Sequence, residues 1–232
     1  MEFFDQLISA LRLVLTSADI WSIVALSLYV SITAVTISAI IGIPIGLYWG
    51  LRTKKDRVLS ITLLNTAMGL PPVFVGLIVF LLISRSGPLG LLSILFTPTA
   101  MVAAQTFLTL PIIIGITRST IKNLPADLRE TLVSLGANKR QEIRLIFTES
   151  KSGISVAVIL ALGRAFSEVG AIFIVGGNIK NHTRVLTTAI ITEISKGENE
   201  LALALGIFLL AISFTLTSFL TLFQLKSQNL NI

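Results

Sequence analysis

Long apolar runs separated by short polar segments organise this chain. Four long intervals contain no Asp, Glu, Lys, Arg or His: residues 20–51, 58–84, 86–117 and 201–225. A shorter one covers residues 152–163. A helix needs roughly 20 apolar residues to cross a bilayer, so each long interval can hold one. The pattern therefore predicts helices that cross a membrane.

Five spans follow from this pattern, at about residues 20–51, 58–83, 98–117, 153–175 and 201–225. Prolines lie inside three of them: Pro44 between two glycines in the first, Pro71-Pro72 in the second and Pro111 in the third. A proline leaves a backbone carbonyl unpaired, which is tolerated at membrane depth where the helix is buried in protein or lines a watery path. This favours a transporter over a simple anchor or scaffold.

The composition agrees with a membrane protein. Hydrophobic residues make up 53% of the 232 residues and charged residues only 13%, whereas a soluble domain has about a quarter of its residues charged. We predict an all-α polytopic protein with one domain at 20–225, an N-terminal segment at 1–19 and a tail at 226–232. The chain has no cysteine, so disulfides and thiolate metal sites are excluded.

The basic residues set the expected orientation. Twelve Lys and Arg fall in the segments 52–57 and 118–151 and the tail, and five lie on the other side of the predicted spans. Basic residues accumulate in cytoplasmic loops, which places the N-terminus outside and the C-terminus in the cytoplasm. The same rule explains the net charge of +6 without a nucleic-acid partner.

The N-terminal segment has two interpretations. Residues 2–17 can form an amphipathic helix on the outer surface, with Leu7, Leu11 and Val14 on its apolar face. Alternatively, they form a short sixth span. Asp5 and Arg12 disfavour the second interpretation because charges within a bilayer are costly.

The predicted cytoplasmic loop 118–151 should fold as two short helices. Pro125 suits the first turn of the first helix, and Leu128, Leu132 and Leu135 are spaced as one apolar stripe. Gly136 is a typical helix stop, and Asn138 is a good N-cap for the second helix. The sequence therefore predicts a compact helix-turn-helix knob; an ordinary solvated loop is the alternative.

The same loop carries a motif: Glu130-Thr131-Leu132, then Gly136-Ala137, then Ile146. It resembles the coupling loop of ABC-importer permeases, in which Glu-Ala-Ala is followed after three residues by Gly and after nine more by Ile-x-Leu-Pro. Thr131 and Leu132 replace the alanines, and Thr148 and Glu149 replace the Leu-Pro. The resemblance implies the type I importer permease fold. It also implies an ATPase-coupling role for a set of residues: Glu130, Leu132, Leu135, Gly136, Ala137 and Ile146.

The chain has no Gly-x-x-x-x-Gly-Lys-Ser/Thr motif, so it cannot hydrolyse ATP by a P-loop. We therefore expect a transport subunit without its own enzymatic activity or cofactor. ATP and Mg²⁺ would be bound by two copies of a separate ATPase subunit.

A second polar stretch, Gly163–Ala171, interrupts the fourth predicted span. Arg164 and Glu168 are four residues apart, which places them on one helix face. Ionisable residues in a span are costly and usually pair or face water. Two interpretations remain open: an ion pair that orients the helix, or a gate in a pore.

The run from Gly163 to Leu205 resembles molybdate- and tungstate-type ABC permeases, and within them the tungstate branch. The resemblance rests on Ser-Glu-Val-Gly-Ala, Gly-Gly-Asn-Ile, Thr-Arg-Val-Leu-Thr-Thr-Ala-Ile and Ser-Lys-Gly. It implies a short helix that dips towards the pore and a set of pore or gate residues: Arg164, Ser167, Glu168, Asn178, Thr187 and Thr188. The two threonines can bind an oxyanion or, equally, cap the backbone. His182 is expected on the surface.

Together these features predict the permease of an ATP-driven importer of tungstate, or of molybdate, in a prokaryotic cell membrane. A homodimer is expected because five spans are few to enclose a path, and an extracytoplasmic oxyanion-binding protein would deliver the anion. The alternatives are a permease for another oxyanion such as sulfate, or a secondary transporter or channel. The last two would need ion-binding groups at mid-membrane and usually an internal repeat, and neither is evident.

Overall fold

The computed structural model describes residues 2–52 and 57–229, and none of these residues forms a β-strand. Eleven α-helices follow one another along this part of the chain: α1 Glu2–Thr16, α2 Ala18–Gly50, α3 Val58–Met68, α4 Pro72–Ile83, α5 Pro98–Lys122, α6 Ala126–Ser134, α7 Lys139–Glu149, α8 Lys151–Ser167, α9 Gly170–Gly176, α10 Leu186–Lys196 and α11 Asn199–Asn229. The predicted all-α class is confirmed.

Three of the described helices are long and apolar enough to cross a membrane: α2, α5 and α11. Two further spans are possible if each bent helix pair counts as one, namely α3 with α4, bent by 92°, and α7 with α8, bent by 59°. These three to five candidates agree with the prediction of about five spans, although the structure divides two of them differently.

Helix α2 packs along α5 through a face of small residues. This buried face contains three serines, an alanine and three glycines: Ser27, Ser31, Ala34, Ser38, Gly42, Gly46 and Gly50. The two glycines that flank Pro44 in the sequence, Gly42 and Gly46, both lie on this face. In the structure a Cβ on Gly46 would lie 2.7 Å from the Thr117 Cβ, so the glycines allow the two backbones to approach closely.

The second predicted span is two helices rather than one kinked helix. α3 ends at Met68, and α4 begins at Pro72, where the missing proline N–H is one that a first helical turn leaves unpaired anyway. The 92° bend between them follows from Pro71-Pro72, because the residue before a proline is disfavoured in the helical region.

The fourth predicted span, 153–175, is also broken. α8 ends at Ser167, and Glu168 adopts an extended backbone with φ −77° and ψ 131°, so the helix cannot run on into α9. In contrast, the third span continues past residue 117 to Lys122. Arg118 therefore belongs to a helix and not to the loop in which it was predicted.

The N-terminal segment is helical, as predicted, and packs against α11. Val14 is buried with Ile20, Val24 and Leu205, whereas Asp5 and Arg12 are exposed. The side chains of Leu7 and Leu11 lie outside the described residues. The packing of Val14 favours a helix held on the bundle, and the choice between an interfacial segment and a sixth span stays a prediction.

Candidate functional site

Helices α6 and α7 form a knob between α5 and α8, as the sequence predicted. Gly136 connects them with φ +77°, a left-handed conformation in which a side chain is strained. The Ala137 N–H donates to the Leu132 carbonyl at 3.0 Å, a bond that closes the end of α6. The conformation of the turn therefore requires a glycine at position 136.

Asn138 caps α7 as predicted. Its Oδ1 accepts from the backbone N–H groups of Arg140 at 3.1 Å and Gln141 at 3.0 Å. In return, Gln141 Oε1 accepts from the Asn138 N–H at 2.8 Å. This reciprocal capping box satisfies three N–H groups at the start of α7 and fixes the direction in which α7 leaves the turn.

The apolar residues of the knob divide into buried and exposed groups. Leu132 is buried, and Ile146 is only 3% exposed. Leu135 lies one residue past the end of α6 and is 78% exposed, although its N–H still donates to the Thr131 carbonyl at 2.9 Å; the predicted apolar stripe is therefore buried only in part. The Glu130 side chain lies outside the described residues. The knob thus has an anchored base and an exposed leucine beside its glycine turn.

Basic residues join the ends of α2 and α5 beside the base of the knob. Lys122 Nζ donates to the Arg52 carbonyl at 2.7 Å, and the Arg118 guanidinium lies 5.3 Å from the centre of the Trp49 ring. Beside them a cavity of about 190 Å³ is lined by Pro125, Leu128 and Ile146 together with the helix ends. The base of the knob therefore faces the joined ends of α2 and α5 across this cavity.

A second polar site surrounds the break between α8 and α9. Glu168 is 4% exposed, and its Oε1 accepts from the Ala171 N–H at 3.0 Å. The carboxylate therefore caps the start of α9, where a negative charge is favoured. The Glu168 carbonyl accepts from Thr187 Oγ1 at 3.0 Å, which links the break to α10.

Neighbouring helices contribute further polar side chains to this break. Gln105 of α5 donates from Nε2 to the Ala165 carbonyl at 2.9 Å. Ser27 of α2 accepts from the Leu186 N–H at 2.8 Å, and so joins α2 to the start of α10. These residues, with Glu168 and Thr187, line a cavity of about 10 Å³, which is room for about one water molecule.

The expected pair of Arg164 and Glu168 is not present among the described residues. Oppositely charged groups four apart meet only on a continuous helix, and the helix ends at Ser167. The Glu168 carboxylate turns to the α9 backbone instead, while Ser167 Oγ donates to the Arg164 carbonyl at 3.1 Å. The orienting ion pair is therefore wrong as an interpretation; a gate role for these residues remains a prediction.

Three predicted pore residues make backbone or loop contacts. Thr188 Oγ1 accepts from the Val185 N–H at 3.1 Å, the capping alternative that the sequence left open. Asn178 has φ +50°, donates to Thr192 Oγ1 at 2.7 Å and accepts from Arg184 Nε at 3.2 Å. Thr187, as described, bonds the Glu168 carbonyl. The structure thus places Asn178 in the loop before α10 and both threonines at the N-terminal end of α10. His182 is exposed, as predicted.

Sequence reasoning missed Gln105 and Ser27, which complete the site at the helix break. Both are buried, and both lie in spans that read as uniformly apolar. The available signal was a large amide in the middle of the third span, since a polar side chain in a membrane helix usually faces protein.

Comparison with known proteins places these two sites in context. Residues 42–227 match the family described as binding-protein-dependent transport system inner membrane component. The chain is 42% identical over 220 residues to the tungstate uptake system permease protein TupB of Peptoclostridium acidaminophilum, covering 94% of this chain and 96% of that one.

Two other relatives are similar over much of their length. A probable anion ABC transporter permease protein of Haloferax volcanii is 45% identical over 196 residues, 82% of this chain and 84% of that one. The tungstate uptake system permease protein TupB of Campylobacter jejuni is 37% identical over 163 residues, 70% of this chain and 68% of that one.

Proposed function

The chain belongs to the family of binding-protein-dependent transport system inner membrane components, and from that premise we propose that it is the permease subunit of an ATP-driven tungstate importer. The observation that carries the substrate is the 42% identity, over nearly the full length of both chains, to a permease named for tungstate uptake. The chain forms the membrane path, and ATP hydrolysis takes place on a separate ATPase subunit.

The energetics of the substrate require such coupling. Tungstate carries two negative charges at neutral pH. Moving each charge inward against a potential of 100 mV, inside negative, costs about 2.3 kcal/mol, or about 4.6 kcal/mol for the dianion. A passive path would lose the anion from the cell rather than accumulate it, so the importer needs an energy source outside this chain.

The knob of α6 and α7 is the proposed contact with the ATPase. Its turn is fixed by Gly136 and by the Asn138 capping box, and it presents Leu135 to a partner. At its base, Leu128 and Ile146 line a cavity together with the ends of α2 and α5. Movement of two ATPase subunits against two such knobs, one from each copy of this chain, would be transmitted to the spans.

An extracytoplasmic binding protein is the proposed source of selectivity. The small cavity at the helix break is lined by Glu168, Gln105 and Ser27 and, among its described residues, by no Lys or Arg. A pore that selected an anion by itself would need basic side chains at its narrow part. Capture of tungstate by a partner removes that need.

Uptake in cells tests the proposal. A host without its own tungstate and molybdate uptake would express this chain with its ATPase and binding protein, and cell-associated tungsten, molybdenum and sulfur would be measured after exposure to each oxyanion. We expect tungsten accumulation that disappears without the chain and with an ATPase unable to hydrolyse ATP. Accumulation of molybdate or sulfate in place of tungstate would overturn the substrate, and accumulation without ATP hydrolysis would overturn the mechanism.

A further inference from the structure

A large cavity opens between α3 and α5, on the same end of the bundle as the knob. Its volume is about 480 Å³, and its described lining includes Leu64, Asn65 and Met68 of α3, Arg118 of α5 and Asn123 just after α5. A cavity volume of about 10–15 Å³ is enough for one water molecule, so this cavity has room for a hydrated polyatomic ion.

The polar side chains of this cavity are suited to an anion. Arg118 carries the only charge among the described lining residues, none of which is a carboxylate. Asn65, Asn123 and Ser119 add neutral groups that can donate hydrogen bonds. A guanidinium presents its N–H groups in a planar fork, which matches the paired oxygens of a tetrahedral oxyanion.

The position of Arg118 is fixed by the fold. Its guanidinium lies 5.3 Å from the centre of the Trp49 ring at the end of α2, and α2 and α5 are packed closely there because Gly50 approaches the Arg118 carbonyl. An arginine held on an aromatic ring loses little further freedom when it binds an anion, which favours binding.

The cavity contrasts with the smaller one at the helix break. There the described lining holds the Glu168 carboxylate and Gln105 Oε1, which only accept hydrogen bonds, and no basic group. The two cavities are therefore of opposite electrostatic character. An anion is disfavoured beside Glu168 and favoured beside Arg118.

We propose that the cavity between α3 and α5 is a binding site for a tetrahedral oxyanion, with Arg118 as its charged ligand and Asn65, Ser119 and Asn123 as its neutral ones. Two sources supply this chemistry: the transported oxyanion on its way to the cytoplasm, which rests on the proposed function, and the phosphate of an anionic lipid headgroup. Either occupant sits where α5 leads into the knob.

Binding of tungstate to the purified full-length chain tests the site. In nanodiscs of phosphatidylcholine, isothermal titration with sodium tungstate should give saturable binding that Arg118→Gln weakens at least about tenfold, as expected when a charged hydrogen-bond donor is lost. Arg52→Gln is the matched control. Arg52 also lies over an aromatic ring, 5.6 Å from the centre of the Tyr48 ring, but it lines the cavity of about 190 Å³ at the base of the knob. The affinity of the Arg52→Gln variant for tungstate should therefore stay within about twofold of that of the original chain.

A second variant keeps the test valid if Arg118→Gln fails to fold. Asn65 is exposed, so Asn65→Asp adds a negative charge to the lining without disturbing the Arg118 contact with Trp49. It should weaken anion binding as well, whereas Arg118→Lys should retain part of it. Unchanged tungstate and lipid binding in both Arg118→Gln and Asn65→Asp would overturn the site.

Native mass spectrometry separates the two sources. If the occupant is a lipid, phosphatidylglycerol will remain bound to the Arg52→Gln variant and be lost from the Arg118→Gln variant, while tungstate binding does not depend on Arg118. Failure of the proposed function gives a different result: the original chain takes up no tungstate in cells, yet Arg118-dependent binding of phosphate or lipid persists.

Discussion

The close packing of α2 on α5 predicts that replacing Gly46 of α2 even by alanine destabilises the protein. In Gly46→Ala the new Cβ would lie 2.7 Å from the Thr117 Cβ and 2.9 Å from the Ile114 carbonyl oxygen. Carbon contacts are optimal near 3.5–4.0 Å, and a backbone oxygen inside a helix cannot move aside cheaply. The two helices must therefore separate.

The magnitude follows from two opposing effects. Overpacking of a close-packed core costs about 1–3 kcal/mol. Alanine in place of glycine in a helix gains about 0.5–1 kcal/mol. The net expectation for Gly46→Ala is a loss of up to about 2.5 kcal/mol, which for a chain of this size lowers the melting midpoint by up to about 10 °C.

Gly206→Ala provides the matched control. Gly206 lies in α11, and no atom comes within 4 Å of a Cβ built there, so only the helix gain remains. Thermal melting of both variants in one detergent, followed by tryptophan fluorescence, should lower the midpoint for Gly46→Ala and leave it equal or higher for Gly206→Ala. Equal midpoints, or the reverse order, would refute the packing argument.

Three further predictions concern the knob, the helix break and the topology. Gly136→Val should abolish substrate-stimulated ATPase activity in the reconstituted complex, since valine is strained at φ +77°. Leu135→Ala should weaken association with the ATPase in a pull-down. Normal ATPase activity and normal association in these variants would exclude the knob as the contact. In a double-mutant cycle of uptake, the effects of Arg164→Gln and Glu168→Gln should be additive within about 0.5 kcal/mol, because the structure shows no ion pair between the two side chains. A larger coupling energy would support the ion-pair interpretation. A cysteine placed at Asn138 in this cysteine-free chain should react with a membrane-impermeant maleimide only in inside-out vesicles, and labelling of intact cells would reverse the orientation.

The knob could be predicted in detail because its signals are local. A glycine stop, an Asn N-cap and a proline before the first turn act over three or four residues, and each is found where the sequence placed it. The spacing of Leu128, Leu132 and Leu135 predicted one apolar stripe, but it did not show that Leu132 is buried and Leu135 exposed. Leu135 lies one residue past the end of α6, and tertiary packing rather than helical spacing decides which leucine of the stripe is covered.

The helix break could not be predicted because its partners are distant in sequence. Glu168 and Arg164 satisfy the spacing of a helical pair, and nothing near them signals the extended residue that separates α8 from α9. That conformation is held by Gln105 and Thr187, which belong to other helices. Hydrophobic pattern locates spans, but tertiary hydrogen bonds decide where they are interrupted.

The short halves of the broken spans have a consequence for how this protein enters the membrane. α3 and α4 contain 11 and 12 residues and extend about 17 and 18 Å, well short of the roughly 30 Å of hydrocarbon. Neither helix is long enough to span the hydrocarbon by itself. The unpaired backbone groups at the bend must be covered by protein rather than by lipid. The cover includes α5 for both halves and α9 for α4, which are synthesised later. We therefore expect α3 and α4 to take up their final positions in the membrane only after residues 98–176 have been synthesised.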